Sequence, residues 1–162
     1  MPQPEKNFTH LNEGNQPRMV DVSGKAVTHR TAVAEAMVHL GPELARMLKE
    51  TGSTKKGPVI QTAVIAGILG SKRTSDLIPM CHPLPLSAVE VDIQLEGEKA
   101  RIQVQVKTSH QTGVEMEALT AVSISCLTIY DMCKSIDKNI VIKDIRLVKK
   151  KGGKSDFTKS KK

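Results

Sequence analysis

From Thr112 to Lys134 the chain reads TGVEMEALTAVSISCLTIYDMCK, and the thirteen residues from Ala118 to Tyr130 include no Asp, Glu, Lys or Arg. A run of that length fits a helix that is covered on nearly every side. Its charges lie at the two ends, Glu115 and Glu117 at the start and Asp131 and Lys134 at the close. With a rise of about 1.5 Å per residue, Glu117 and Asp131 share a face of such a helix but stand roughly 20 Å apart along it. A fold built on this stretch must bury its middle and display chemistry at both ends.

The elements around it follow from local pattern. Ala32, Ala34, Ala36, Val38 and Leu40 alternate with Thr31, Val33, Glu35, Met37 and His39, which favours a strand over the helix that the alanines would also suit. Pro42 starts a helix that Gly52 ends. Ile60, Ala63, Val64, Gly67, Ile68 and Ser71 recur at helical spacing, so a helix is expected over Val59 to Ile78, and MVDVS (Met19–Ser23) is expected to add a short extended piece. Pro79, Pro83 and Pro85 keep the Met80-Cys81-His82 loop out of regular structure. Val89, Val91, Ile93 and Leu95, a Gly97-Glu98 turn, then Ile102, Val104 and Val106 spell a hairpin, and Ile140 to Val148 reads as a last strand. The order strand, helix, strand, strand, helix, strand implies an α+β chain: a ferredoxin-like βαββαβ antiparallel sheet with helices on one face. Fold alone leaves function open.

A chain of 162 residues is expected to form one domain: a flexible N-terminal segment over 1–18, a single folded body over 19–150 and a lysine-rich tail over 151–162. The net charge of +7 comes mostly from the residues after Val148, where seven of the 24 basic residues sit, so the body is close to neutral. Such a tail suits nucleic acid or simply solvent. With two Phe, one Tyr and no Trp, base stacking has almost nothing to use. Cys81, Cys126 and Cys133 form no paired CxxC spacing, which fits a reducing, cytoplasmic setting and no structural zinc or other metal. No basic-then-apolar leader and no run of eighteen apolar residues points to secretion or a membrane. GGKS at Gly152 to Ser155 is not a phosphate loop, because Val148 stands where the first glycine of GxxxxGK[ST] must be.

Several residues carry chemistry beside an ordinary alternative. Thr112-x-x-Glu115 has capping-box spacing, so Glu115 is either a cap or a site acid. Glu117 lies about 200° around a helix from Glu115, so either the first turn is irregular or the two acids serve different surroundings. Asp131 and Lys134 are an i, i+3 pair: a surface ion pair, or, next to so apolar a stretch, a partly desolvated pair that tunes the lysine for proton transfer. His82 in its proline-bracketed loop is an acid/base candidate or a plain loop histidine.

The runs MVDVSGK, AVIAGILGSKRTSDLIPMCHPLPL, TGVEMEALTAVS and LTIYDMCK, with the trailing GGKSDF, resemble the MoaC family, the cyclic pyranopterin monophosphate synthases of molybdenum-cofactor biosynthesis. The resemblance spans roughly Thr9 to Phe157, making 19–150 the catalytic domain. It implies a lyase that rearranges a 3′,8-cyclised dihydro-GTP into cyclic pyranopterin monophosphate and releases pyrophosphate without a metal or organic cofactor. A radical-SAM GTP cyclase would supply the substrate, and the assembly would be a hexamer built as a trimer of dimers, with the site at a subunit interface. Carried over residue by residue, Asp131, Lys134 and Lys56 would be catalytic, while Met80, Cys81, His82, Met116, Glu117, Glu115, Arg30 and Lys150 would contact substrate. The spread of cations suits a triphosphate if Arg30, Lys56 and Lys150 converge. Because Glu117 and Asp131 lie so far apart on one helix, a shared site would need two copies of the chain.

Overall fold

The computed structural model describes residues 10–159; the expectation of a flexible end over residues 1–9 lies outside them. Residues 10–18 form a small turn closed by a bridge between Leu11 and Pro17. MVDVS, expected to be extended, finds no partner strand among the described residues and lies as a loop, with Ser23 holding the Asp21 carboxylate through its N–H and hydroxyl at 2.9 and 2.6 Å.

The period-two segment is β1, Thr28–His39, with Ala32, Ala34, Ala36 and Val38 buried on one face. Gly41 leads into α1, Pro42–Thr51, where proline sits in the first turn and Gly52 closes the end in a left-handed conformation at φ 66°. Two short strands, β2 (Ser53–Thr54) and β3 (Gly57–Pro58), form a tight hairpin. The expected single helix over Val59 to Ile78 is in fact two, α2 (Val59–Lys72) and α3 (Thr74–Leu77), broken where the Arg73 N–H turns back to the Gly70 carbonyl. The hairpin follows as β4 (Ala88–Glu96) and β5 (Lys99–His110). The uncharged stretch is α4, Glu115–Cys133, and the chain ends in β6 (Val141–Lys151) and a short β7 (Phe157–Thr158).

The main sheet runs β4-β5-β1-β6-β7, and every neighbouring pair is antiparallel. Two register shifts interrupt β1–β6, and Asp144, at φ 57°, lies in the stretch of the second. The even-numbered residues of β1 and β5 meet α4, while α2 packs on α4 and β4. On the opposite face Glu35 is clasped by Arg146 at 2.6 Å and Arg101 at 3.5 Å.

By length and composition α4 could cross a membrane, but ten of its nineteen residues are buried inside this fold, which makes it the core helix. Its contact with α2 depends on small residues. A Cβ at Gly67 would run into the Ser125 hydroxyl, one at Gly70 would come 2.8 Å from Ile124, and Ser125 donates to the Ala63 carbonyl at 3.0 Å. Close approach leaves no room for larger groups there. The outer sides of both helices stay uncovered, with Ile65, Leu69 and Leu127 each more than half exposed.

Candidate active site

The residues singled out by sequence fall into two groups at opposite ends of α4. At its N-terminal end a cleft of about 320 Å³ is walled by Met80, Cys81 and His82 on one side and by Glu115, Met116 and Glu117 on another. A second cleft of about 260 Å³ holds Arg30 and Lys150 and shares Thr112, Gly113 and Glu115 with the first. Eight of the eleven expected residues therefore meet around one helix start.

Glu117 dominates the first cleft. It is 4% exposed, and burial, with Glu115 nearby as a weaker cause, pushes its carboxyl up to about 7. At neutral pH it is poised between acid and carboxylate, a suitable state for exchanging a proton or for matching either a donor or an acceptor on a heterocycle. Cys81 is also raised, by burial first and by Glu117 second, so it stays a thiol. His82 Nε2 lies 2.7 Å from the Val20 carbonyl. A carbonyl only accepts, so Nε2 carries the proton and Nδ1 is the nitrogen left for other partners.

The Glu117 carboxyl binds its proton more tightly in the folded chain than in the unfolded one, where it ionises near 4.5. The resulting penalty is absent below pH 4.5, grows as pH rises to 7 and is constant above. Glu117→Gln is thus expected to stabilise the fold above pH 7 by at most on the order of 3 kcal/mol and to make no difference at pH 4. Urea unfolding of both proteins across that range checks it, and a pH-independent difference would contradict it.

Glu115 does not cap the helix. The N-cap residue is Val114, no side chain among the described residues caps the helix start, and the Glu115 carboxylate instead meets Lys150 at 3.0 Å. The capping-box spacing is present in sequence but the long-range ion pair takes the acid. Arg30 is fixed by donating from Nε and Nη2 to the His110 and Gln111 carbonyls at 2.9 and 3.0 Å.

At the other end of α4, Asp131 takes Lys134 on one oxygen and Lys56 on the other, both at 2.8 Å, and Lys56 also donates to the Asp131 carbonyl at 2.8 Å. Lys56 is presented by the β2–β3 turn. The two lysines hold the Asp131 carboxyl down to about 2, and Asp131 holds the Lys134 ammonium above its ordinary value. The expected exclusion of water is not found, since all three side chains are about half exposed in the single chain. Lys134 is consequently a protonated donor rather than a lysine lowered toward neutrality. The reason is geometric: α4 turns an apolar but uncovered side outward here, with Leu127 55% exposed.

Residue-by-residue reading of the sequence missed His10 and Lys25, which line the first cleft. Lys25 closes the quoted run MVDVSGK, which is its only signal; His10 has none. Among the described residues no three His, Cys, Asp or Glu side chains converge as metal ligands.

A neutral-leaning buried acid at one end of a helix and a lysine–carboxylate–lysine relay at the other are the equipment of an acid–base enzyme. The sequence profile of the MoaC family matches residues 19–153, and the chain belongs to that family. It is 53% identical over 148 residues to a cyclic pyranopterin monophosphate synthase from Peptoclostridium acidaminophilum, covering 91% of this chain and 94% of the relative. Proteins of the same name from Parvibaculum lavamentivorans and Streptomyces coelicolor are each 50% identical over 158 residues, covering 96% and 97% of this chain and 98% and 92% of theirs.

Proposed function

We propose that this chain is a cyclic pyranopterin monophosphate synthase of molybdenum-cofactor biosynthesis, a lyase that converts 3′,8-cyclised dihydro-GTP into cyclic pyranopterin monophosphate and pyrophosphate. The observation that carries this is identity of half or more along over nine-tenths of both chains with proteins of that name. The chemistry of the two ends of α4 agrees. Opening and rebuilding a pterin ring needs groups that exchange protons near neutrality, of which Glu117 is one, and a donor for developing negative charge, which Lys134 supplies. Arg30 and Lys150 offer cations to the triphosphate.

The catalytic relay of Asp131, Lys134 and Lys56 stands roughly 20 Å along α4 from Glu117, so one copy does not close a single site. A second copy, laid two-fold and antiparallel on the uncovered α2–α4 face, would set the Lys56–Lys134 end of one helix against the Glu115–Glu117 end of the other. The exposed Ile65, Leu69 and Leu127 support that occupant. In this reading the dimer is the catalytic unit and the hexamer a trimer of such dimers. The strand order and pairing support a ferredoxin-like βαββαβ topology, and three free cysteines support the cytoplasm, with a radical-SAM GTP cyclase as the preceding enzyme.

Purified protein given cyclised dihydro-GTP is expected to release pyrophosphate and the cyclic phosphate in equal amounts. Folded protein that releases neither contradicts the assignment.

A further inference from the structure

The GGKSDF run fails as a phosphate loop, yet the structure gives it a built turn. Gly152, at φ 87°, donates its N–H to Asp156 Oδ1 at 3.1 Å and accepts the Thr28 hydroxyl on its carbonyl at 2.7 Å. A Cβ there would run into the His29 carbonyl oxygen, so the position admits only glycine. A Cβ on Gly153 would come 3.2 Å from Arg30 Nη1. Arg30 has committed Nε and Nη2 to backbone carbonyls, which leaves Nη1 facing the turn. The pairing of β7 with β6 and a bond from the Lys159 N–H to the Val148 carbonyl at 2.8 Å close the segment behind it.

This turn walls the smaller cleft, which holds Arg30, Lys150, Lys151 and Lys154 against one carboxylate, Glu115. Glu115 is paired with Lys150, and among the described residues neither Lys151 nor Lys154 has an acidic partner. A pocket with such an excess of cations is matched by a ligand carrying several negative charges on closely spaced oxygens. The cleft also opens on the one that contains Glu117 and His82, through Thr112, Gly113 and Glu115. A ligand with a ring in one and a phosphate chain in the other fits both.

We propose that the Gly152–Asp156 turn is a polyphosphate-binding element, in which Lys154 contacts the phosphate chain of the substrate and Asp156 is a positioning residue that holds the turn against Arg30. The proposal rests on the synthase reading for the identity of the ligand, but its chemistry can be tested apart from turnover. Inorganic tripolyphosphate, titrated calorimetrically into the full-length protein at physiological ionic strength, is expected to bind. Lys154→Ala should weaken it roughly tenfold or more and raise KM with kcat little changed. Asp156→Ala should do the same, whereas Asp156→Asn, which keeps the accepting oxygen, should restore binding. Lys138→Ala, an exposed lysine elsewhere, serves as the control and should leave it unchanged. Absence of tripolyphosphate binding by the unaltered protein, or unchanged binding by Lys154→Ala, overturns the proposal; equal losses in both Asp156 variants overturn the positioning role. Lys154-dependent binding without turnover would sink the synthase reading alone, and turnover with KM unchanged by Lys154→Ala would sink this one alone.

Discussion

Lys134→Ala is expected to lower kcat by roughly 10² to 10⁴, the range a positioned proton donor supplies, while leaving the fold almost untouched. The second half follows from exposure. Lys134 and Asp131 are both about half exposed, and pairs of that kind contribute little to stability. The first half follows from geometry: Asp131 holds Lys134 protonated and fixed, with its ammonium 2.8 Å from the carboxylate. Lys56→Ala should behave alike, because Lys56 occupies the other Asp131 oxygen. Stopped assays for pyrophosphate, run beside thermal melts, read both effects. A large loss of melting temperature with proportionate loss of activity would instead make the relay a piece of scaffold.

That contrast bears on what was legible in the sequence. Alternation alone placed β1, β4 and β5, because one face of each strand is polar and the other packs on helices. Pro42 and Gly52 marked α1 because each has a backbone reason to stand there. The uncharged stretch marked α4, yet the same feature misled about its C-terminal end, where missing charge suggested dryness around Asp131 and Lys134. Leu127 shows why: an apolar residue on an uncovered side looks the same in sequence as one in a core. The break at Arg73 was equally hidden, since no proline or glycine sits at that point and the polar run from Ser71 to Asp76 suits an exposed helical turn as well as a break.

For the site, the residue types were readable and the company they keep was not. Glu115 had the spacing of a cap, but Lys150, from the far end of the chain, captures it, and no local pattern reports a partner at that separation. Met19 to Ser23 was expected to be extended; in the structure it is a loop that brings the Val20 carbonyl within 2.7 Å of His82. The division of the expected residues between two ends of α4 was the exception. Counting residues along a helix gives that distance directly, and the structure gathers the two groups at the two ends of that helix.

The division also gives the most direct test of a site shared by two copies. Lys134→Ala damages the C-terminal end of α4 and Glu117→Gln the N-terminal end, and assemblies made of either variant alone carry one lesion in every site. Mixed in equal amounts by co-refolding, half the dimers combine one copy of each. In such a dimer one composite site collects both lesions and the other has none, so roughly a quarter of the unaltered activity should return. If instead Glu117 and Lys134 of the same copy served one site, every chain would bring its own lesion to it. The mixture would then stay as inactive as its parents, and that result would contradict the composite site.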